Sequence, residues 1–188
     1  EKLNLLKLSD QSWGNISCNT IKNHNISPLR YYHISSINLY NHLKHLLGSF
    51  KVDYYRENVS EIRNQTSEGD ILIETEQTSF YATKVYDSRP PQWIEEKKHQ
   101  TFLWQSFLGW KIKTSNNVFD KNEFTMMDFE VDQSNATQFV YILPYSENHA
   151  LVEMTRFGIN TIDHDYARTQ LEKYCQEKKW DYTVLEEE

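Results

Sequence analysis

The residues of this chain best placed to do chemistry are three acids in apolar surroundings: Glu153, Asp128 and Asp87. Glu153 interrupts the run Ala150-Leu151-Val152-Glu153-Met154-Thr155. In a strand, successive side chains point to opposite faces, so Leu151, Glu153 and Thr155 share one face and Val152 and Met154 the other. A carboxyl among apolar neighbours is costly when ionised, so it tends to stay neutral and can then donate a proton. Asp128 interrupts Met126-Met127-Asp128-Phe129 and reads either as a solvent-facing strand residue or as an acid in a cavity. Asp87 ends a strand-like stretch and is followed by Ser88-Arg89-Pro90. Ligands bind at strand ends in α/β sheets, but a loop ion pair between Asp87 and Arg89 explains the same spacing.

Other catalytic patterns are missing. The sequence has no glycine-rich phosphate loop, no G-x-S-x-G and no Cys/His metal pattern. His42 and His45 lie three apart on a predicted helix, but a metal site needs a further ligand, so we expect no metal. Cys18 and Cys175 are far apart and unpatterned, which fits a reducing compartment.

Two apolar runs, 139–143 and 150–155, flank Pro144-Tyr145-Ser146-Glu147-Asn148 and predict an antiparallel strand pair that carries Glu153. Further strands are predicted over 101–114, 124–132 and 180–185. A helix over 163–178 has Tyr166, Ala167, Leu171, Tyr174 and Cys175 as its inner stripe. In the first half, 1–27 reads as polar and irregular, anchored by Trp13 and Ile16. A strand over 29–35, a helix with Leu39, Leu43, Leu46 and Leu47 ending at Gly48, and a strand over 51–55 form a predicted strand–helix–strand unit. A β-meander follows over 59–63, 70–76 and 80–86, with turns at Glu68-Gly69-Asp70 and Glu76-Gln77-Thr78-Ser79. Pro90-Pro91 and the charged stretch 95–98 mark a boundary, giving expected domains at 1–92 and 93–188. The expected class is α/β joined to antiparallel β.

With 188 residues, 38% hydrophobic and 25% charged, the chain can bury a sizeable core. A net charge of −7 and the lack of a basic stripe argue against a nucleic-acid partner. Sequons at Asn15, Asn25, Asn58, Asn64 and Asn135 are expected by chance in an Asn-rich sequence. No apolar run approaches the ~20 residues that span a bilayer. The sequence starts at Glu1 without Met and carries no signal peptide, which suggests a segment of something longer.

The acids and their neighbours, taken in order, resemble bacterial-type lycopene β-cyclases. Asp87-Ser88-Arg89-Pro90, Met127-Asp128, Phe139-Val140-Tyr141-Ile142-Leu143-Pro144-Tyr145-Ser146 and Leu151-Val152-Glu153-Met154-Thr155 are similar to the family's D-x-R-G, M-D, F-V-Y-x-L-P-x-S and x-x-E-D-T. Leu185-Glu186-Glu187-Glu188 resembles the lead into the family's E-x-G-x-x-P-M stretch. Two positions depart: Pro90 stands where Gly is common, and Met154 where Asp is usual.

The resemblance implies a flavoprotein fold shared with aromatic hydroxylases, with an antiparallel substrate sheet across part of an FAD-binding α/β domain. It implies reduced FAD, with NAD(P)H as reductant and no net redox change. Lycopene is protonated at its end and closes to a β-ionone ring. Glu153 is then the catalytic acid, Asp128 an acid in or near the cavity, and Asp87 and Arg89 the residues beside the flavin. A transient cation needs electron-rich faces, and Trp104, Phe107, Trp110, Phe139 and Tyr141 are available. The implied setting is cytoplasmic or peripheral to a membrane, where an apolar carotenoid is found. Because the dinucleotide fingerprint is missing, we expect an internal segment that alone neither binds FAD well nor turns over lycopene. An FAD-dependent monooxygenase or reductase on another apolar substrate, and a non-catalytic lipid- or carotenoid-binding domain, are the competing readings.

Overall fold

The structure is a computed structural model that describes residues 5–64, 70–89 and 102–188. The described residues form two compact units. One takes in Glu1–Asn41 and Thr101–Glu188, the other His42–Gln100.

In chain order the elements are a 3-10 turn at Leu5–Leu8, β1 (Gln11–Trp13), β2 (Asn15–Cys18), β3 (Ile21–Asn25), β4 (Tyr31–His33) and α1 (Ser36–Leu47). β5 (Val59–Asn64), β6 (Ile71–Thr75) and β7 (Ser79–Ala82) follow. The remainder is β8 (Trp104–Thr114), β9 (Glu123–Asp128), β10 (Thr137–Pro144), β11 (His149–Gly158), α2 (His164–Glu177) and β12 (Tyr182–Glu187). The result is a mixed, sheet-dominated α/β chain with two α-helices among the described residues.

The first unit is built on a seven-stranded sheet in the order β12-β8-β11-β10-β9-β2-β3. All neighbours are antiparallel except β2 and β9, which run parallel. The expected strand pair is present as β10 and β11, with Tyr141 opposite Glu153 and Leu143 opposite Leu151. The turn closes because the Tyr145 amide donates to the His149 carbonyl (2.8 Å) and the Ser146 hydroxyl to Asn148 Oδ1 (3.0 Å). Pro144 is tolerated because it sits at the strand end, and its carbonyl accepts from the buried Trp13 indole (2.9 Å).

One face of this sheet carries α2. The helix starts where Asp163 accepts the Tyr166 amide (2.9 Å), an N-cap that satisfies one otherwise unpaired donor. It stops before Lys179, whose φ of 57° lies in the left-handed region. Ala167, Leu171, Tyr174 and Cys175 recur at helical spacing and are buried. Across from them Val152 and Met154 of β11, Val140 and Ile142 of β10, and Trp110 of β8 complete the core.

The second unit contains an antiparallel β5-β6-β7 meander. Its second turn forms as expected, with the Thr75 amide donating to the Thr78 carbonyl (2.9 Å). The first expected turn lies largely outside the described residues, as do Pro90, Pro91 and the charged stretch 95–98.

Three expectations are corrected. The stretch expected to be irregular, 1–27, holds three strands in its described part: β1 pairs with β4, and β2 and β3 extend the main sheet. Residues 51–55 are in no strand, and β4 pairs antiparallel with β1, so the strand–helix–strand unit does not form. The division also differs from 1–92 and 93–188, because the parallel β2–β9 pairing draws the chain's start into the unit that holds its end.

The packing of α2 gives a direct test. Leu171 is 0% exposed, so Leu171→Ala is expected to cost about 2–5 kcal/mol. Asp163→Ala removes only the cap and should cost about 1 kcal/mol. Urea denaturation followed by circular dichroism measures both, and equal losses would contradict this packing.

Candidate active site

Glu153 lies at the middle of β11, an interior strand of the sheet flanked by β8 and β10. Its cross-strand partners are Tyr141 on β10 and Gly109 on β8. Because Val152 and Met154 pack toward α2, alternation turns Glu153 to the opposite face with Leu151 and Thr155. That face is largely shielded: Thr155 is 0% exposed, Leu151 and Phe139 are buried, and Glu153 is half-buried.

The local surroundings decide the acid's protonation. Burial pushes the Glu153 carboxyl above its usual range. The Thr155 hydroxyl, which donates to Oε1 at 2.8 Å, works against this, and the nearby Glu188 carboxylate works with it. Among the described residues, Glu153 has no cation in ion-pair contact.

Aromatic rings occupy the same face. Phe139, opposite Thr155, meets Tyr141 at 5.1 Å edge-on and Phe129 at 5.4 Å. Phe157 lies 6.1 Å from Phe139. Phe107 of β8 is also opposite Thr155 and is 54% exposed. Trp110, expected among the available rings, belongs to the α2 core instead, and its indole donates to Glu187 Oε2 (2.8 Å). Trp104 lies at the start of β8, in register with Gly158.

Asp128 lies on the other face. A register shift in β9 brings it opposite Val140, on the α2 side. It is 2% exposed and accepts from the Tyr174 hydroxyl (2.7 Å), the Lys178 ammonium (3.2 Å) and the Glu130 amide (3.0 Å). Burial alone would raise its carboxyl, but these three donors outweigh it and hold the carboxyl below the usual range. Asp128 is thus an ionised anchor between β9 and the end of α2, not a neutral acid beside Glu153. A surface cleft of about 230 Å³ lined by Phe129, Glu130, Tyr174 and Glu177 lies on this α2 side as well.

Asp87 and Arg89 belong to the second unit and are partly exposed. Arg89 donates to the Asp87 carboxylate from Nε (3.0 Å) and Nη2 (2.9 Å), and from Nη1 to the Val59 carbonyl (2.8 Å). Arg89 accordingly holds the Asp87 carboxyl below its usual range. The loop ion pair weighed from the spacing is therefore present. Among the described residues no group of His, Cys, Asp and Glu could hold a metal ion.

Sequence reasoning named Thr155 only as a neighbour and missed Gly109 and Glu188. Period-two alternation already placed Thr155 beside Glu153. Glycine inside a strand pattern is itself a sign of close approach. A Cβ at Gly109 would meet Leu151 Cδ1 at 3.2 Å and Glu188 Cγ at 3.1 Å.

The sequence model of the family described as "Lycopene cyclase protein" matches residues 1–188. The chain belongs to the lycopene cyclase family. It is 31% identical over 102 residues to a lycopene beta-cyclase of Paracoccus sp., a match covering 50% of this chain and 25% of that protein. It is 34% identical over 88 residues to a lycopene beta-cyclase of Pantoea ananas, covering 45% of this chain and 22% of that protein. These matches thus take in about a quarter of the length of the curated relatives. Among solved structures, tetracycline destructase Tet(51) aligns over 92% of this chain and 46% of that one, at 12% identity and a TM-score of 0.39. No helix among the described residues is long and apolar enough to cross a membrane.

The two buried acids should respond oppositely to pH. A carboxyl raised in the folded state favours folding less as pH rises from its ordinary value through its raised one. Glu153→Gln should therefore gain stability relative to the parent at pH 8, with the gain shrinking toward pH 4. Asp128 has a lowered carboxyl, so its contribution is present above its ordinary value of 3.8 and lost as pH falls through the folded value. Asp128→Asn should lose about 1–3 kcal/mol at pH 7, and the loss should narrow in acid. Denaturant midpoints at several pH values measure both trends.

Proposed function

We propose that the full-length protein is a lycopene β-cyclase in which Glu153 is the acid that starts ring closure. The observation that supports this most is a half-buried carboxyl, raised by burial, at the centre of a sheet face lined with aromatic rings. A hydrocarbon substrate offers no hydrogen bonds. Its site must be apolar, and protonating an alkene there requires an acid that keeps its proton.

The geometry suggests how the proton is held. Thr155 Oγ1 donates to Glu153 Oε1, so the neutral acid carries its proton on Oε2. Transfer of that proton to the terminal double bond forms a carbon–hydrogen bond and leaves a tertiary carbocation. An internal double bond supplies the electron pair that closes the six-membered ring. Loss of a proton from the adjacent ring carbon restores a double bond, so one proton enters, one leaves, and no oxidation level changes. Tyr141, directly across from Glu153, and Phe139 and Phe107 on the same sheet face supply electron-rich rings for the developing positive charge.

The family resemblance also implies reduced FAD with NAD(P)H as reductant. The Asp87 and Arg89 side chains are satisfied by each other and by Val59. FAD would be a cofactor of the full-length protein, and the protonation and ring closure assigned to Glu153 change no oxidation level. A carotenoid substrate would be drawn from a membrane surface.

The full-length protein expressed in a lycopene-accumulating host tests the assignment. Glu153→Gln should lower ring formation at least about 10²-fold at unchanged protein level, as pigment analysis would record. β-Carotene at parental levels from that variant would end the acid assignment. NAD(P)H consumption matched by an oxygenated product would replace cyclisation with oxygenation.

A further inference from the structure

The row of residues that crosses the sheet at Glu153 runs Tyr141, Glu153, Gly109, Glu188. Gly109 and Glu188 exchange both backbone hydrogen bonds, amide to carbonyl in each direction, at 2.9 Å. Glu153 and Glu188 therefore flank one glycine on neighbouring strands. The space where a Cβ would stand at Gly109 is approached by Glu188 Cγ at 3.1 Å and Oε1 at 3.5 Å. The room that the absent side chain leaves is taken up by the Glu188 side chain and by Leu151 Cδ1 (3.2 Å). Lys111, the next residue of β8 on this face, holds Glu186 at 2.8 Å and Glu188 at 3.8 Å.

We propose that Glu188 is a positioning residue for the reaction, a second carboxylate set across Gly109 that keeps the proton on Glu153. The proposal rests on the reading of Glu153 as proton donor. Two carboxylates near one another resist ionising together, so an ionised Glu188 favours the neutral form of Glu153. Lys111 lies within ion-pair distance of Glu188 (3.8 Å). Its ion pairs go to Glu186 and Glu188, and among the described residues Glu153 has no cation in ion-pair contact. The other titratable groups facing this row are Tyr141 beside Glu153, with Tyr31 beside Tyr141, and Tyr145, His149 and Glu186 around Lys111, with Asp10 beyond Tyr145. Burial raises the Tyr141 and Tyr145 hydroxyls, so both are neutral across the working range. Glu188 is accordingly the carboxylate through which charge reaches the donor.

The experiment is the pH–rate profile of ring closure by the full-length holoenzyme, for the parent and for Glu188→Gln, Glu188→Asp and Glu153→Gln. The basic limb of the parent reports loss of the donor's proton. Glu188→Gln should move that limb to lower pH by about half to one unit while keeping the acid-side plateau. Glu188→Asp should restore much of the shift. An unmoved limb, or a uniform loss at every pH, would overturn the role of Glu188 while leaving Glu153 in place. If Glu153→Gln itself retains activity, the reading of Glu153 falls, whatever Glu188 does.

Discussion

The structure depends on the period-two alternation of its central strands. β8, β11 and β10 lie side by side in the sheet, and each side chain must face one way or the other. One face is committed to α2 through Val152, Met154, Val140 and Trp110. That commitment fixes the register, because a slip of one residue would turn Glu153 into the α2 core and Met154 out of it. With the register fixed, Glu153, Thr155, Tyr141 and Phe139 have no choice but to share the remaining face. The acid is thus placed by the hydrophobic packing of side chains that point away from it.

The same sheet handles a second buried acid in the opposite way. Asp128 is more completely covered than Glu153, yet its carboxyl is lowered while that of Glu153 is raised. Burial penalises the charged form in both cases. The difference lies in the number and charge of donors. Asp128 meets a hydroxyl, an ammonium and an amide. Glu153 meets one hydroxyl and a like charge. One arrangement favours a permanent ion that ties β9 to α2, and the other favours a group that can give up a proton. The two acids occupy opposite faces of the sheet.

This contrast explains what could be read from the sequence. The β10–β11 hairpin and α2 were legible because each carries its own periodicity: alternation in residues 139–155 and helical spacing from Ala167 to Cys175. β1 to β3 were not, since they are short, rich in Asn and Ser, and stabilised by partners distant in sequence. Asn15, for example, sits opposite Glu123 in the parallel pair and donates to Asn23 through its side chain. Residues 51–55 look like a strand by composition, but a strand needs a partner edge. The face of Asp128 was hidden for another reason: a register irregularity in β9 breaks the alternation that would have assigned it. Local pattern therefore located Glu153 and its face, whereas the role of Asp128 depended on long-range contacts to Tyr174 and Lys178.

The departure at Met154 can now be placed on the fold. The family pattern has an acid immediately after the key glutamate, and a neighbouring carboxylate invites the idea that it supports the donor. Adjacent strand residues face opposite ways, and Met154 is fully buried toward α2. A side chain at this position addresses the core, not the space around Glu153. An aspartate there would need its own donors among Leu108, Val140 and Leu171, none of which offers a polar side chain. Methionine instead fills an irregular apolar space with a flexible side chain. In this chain, then, the change from the family pattern is a matter of packing beneath the sheet. It leaves the acid's own face, with Thr155 below, Tyr141 to one side and Gly109 to the other, unaltered.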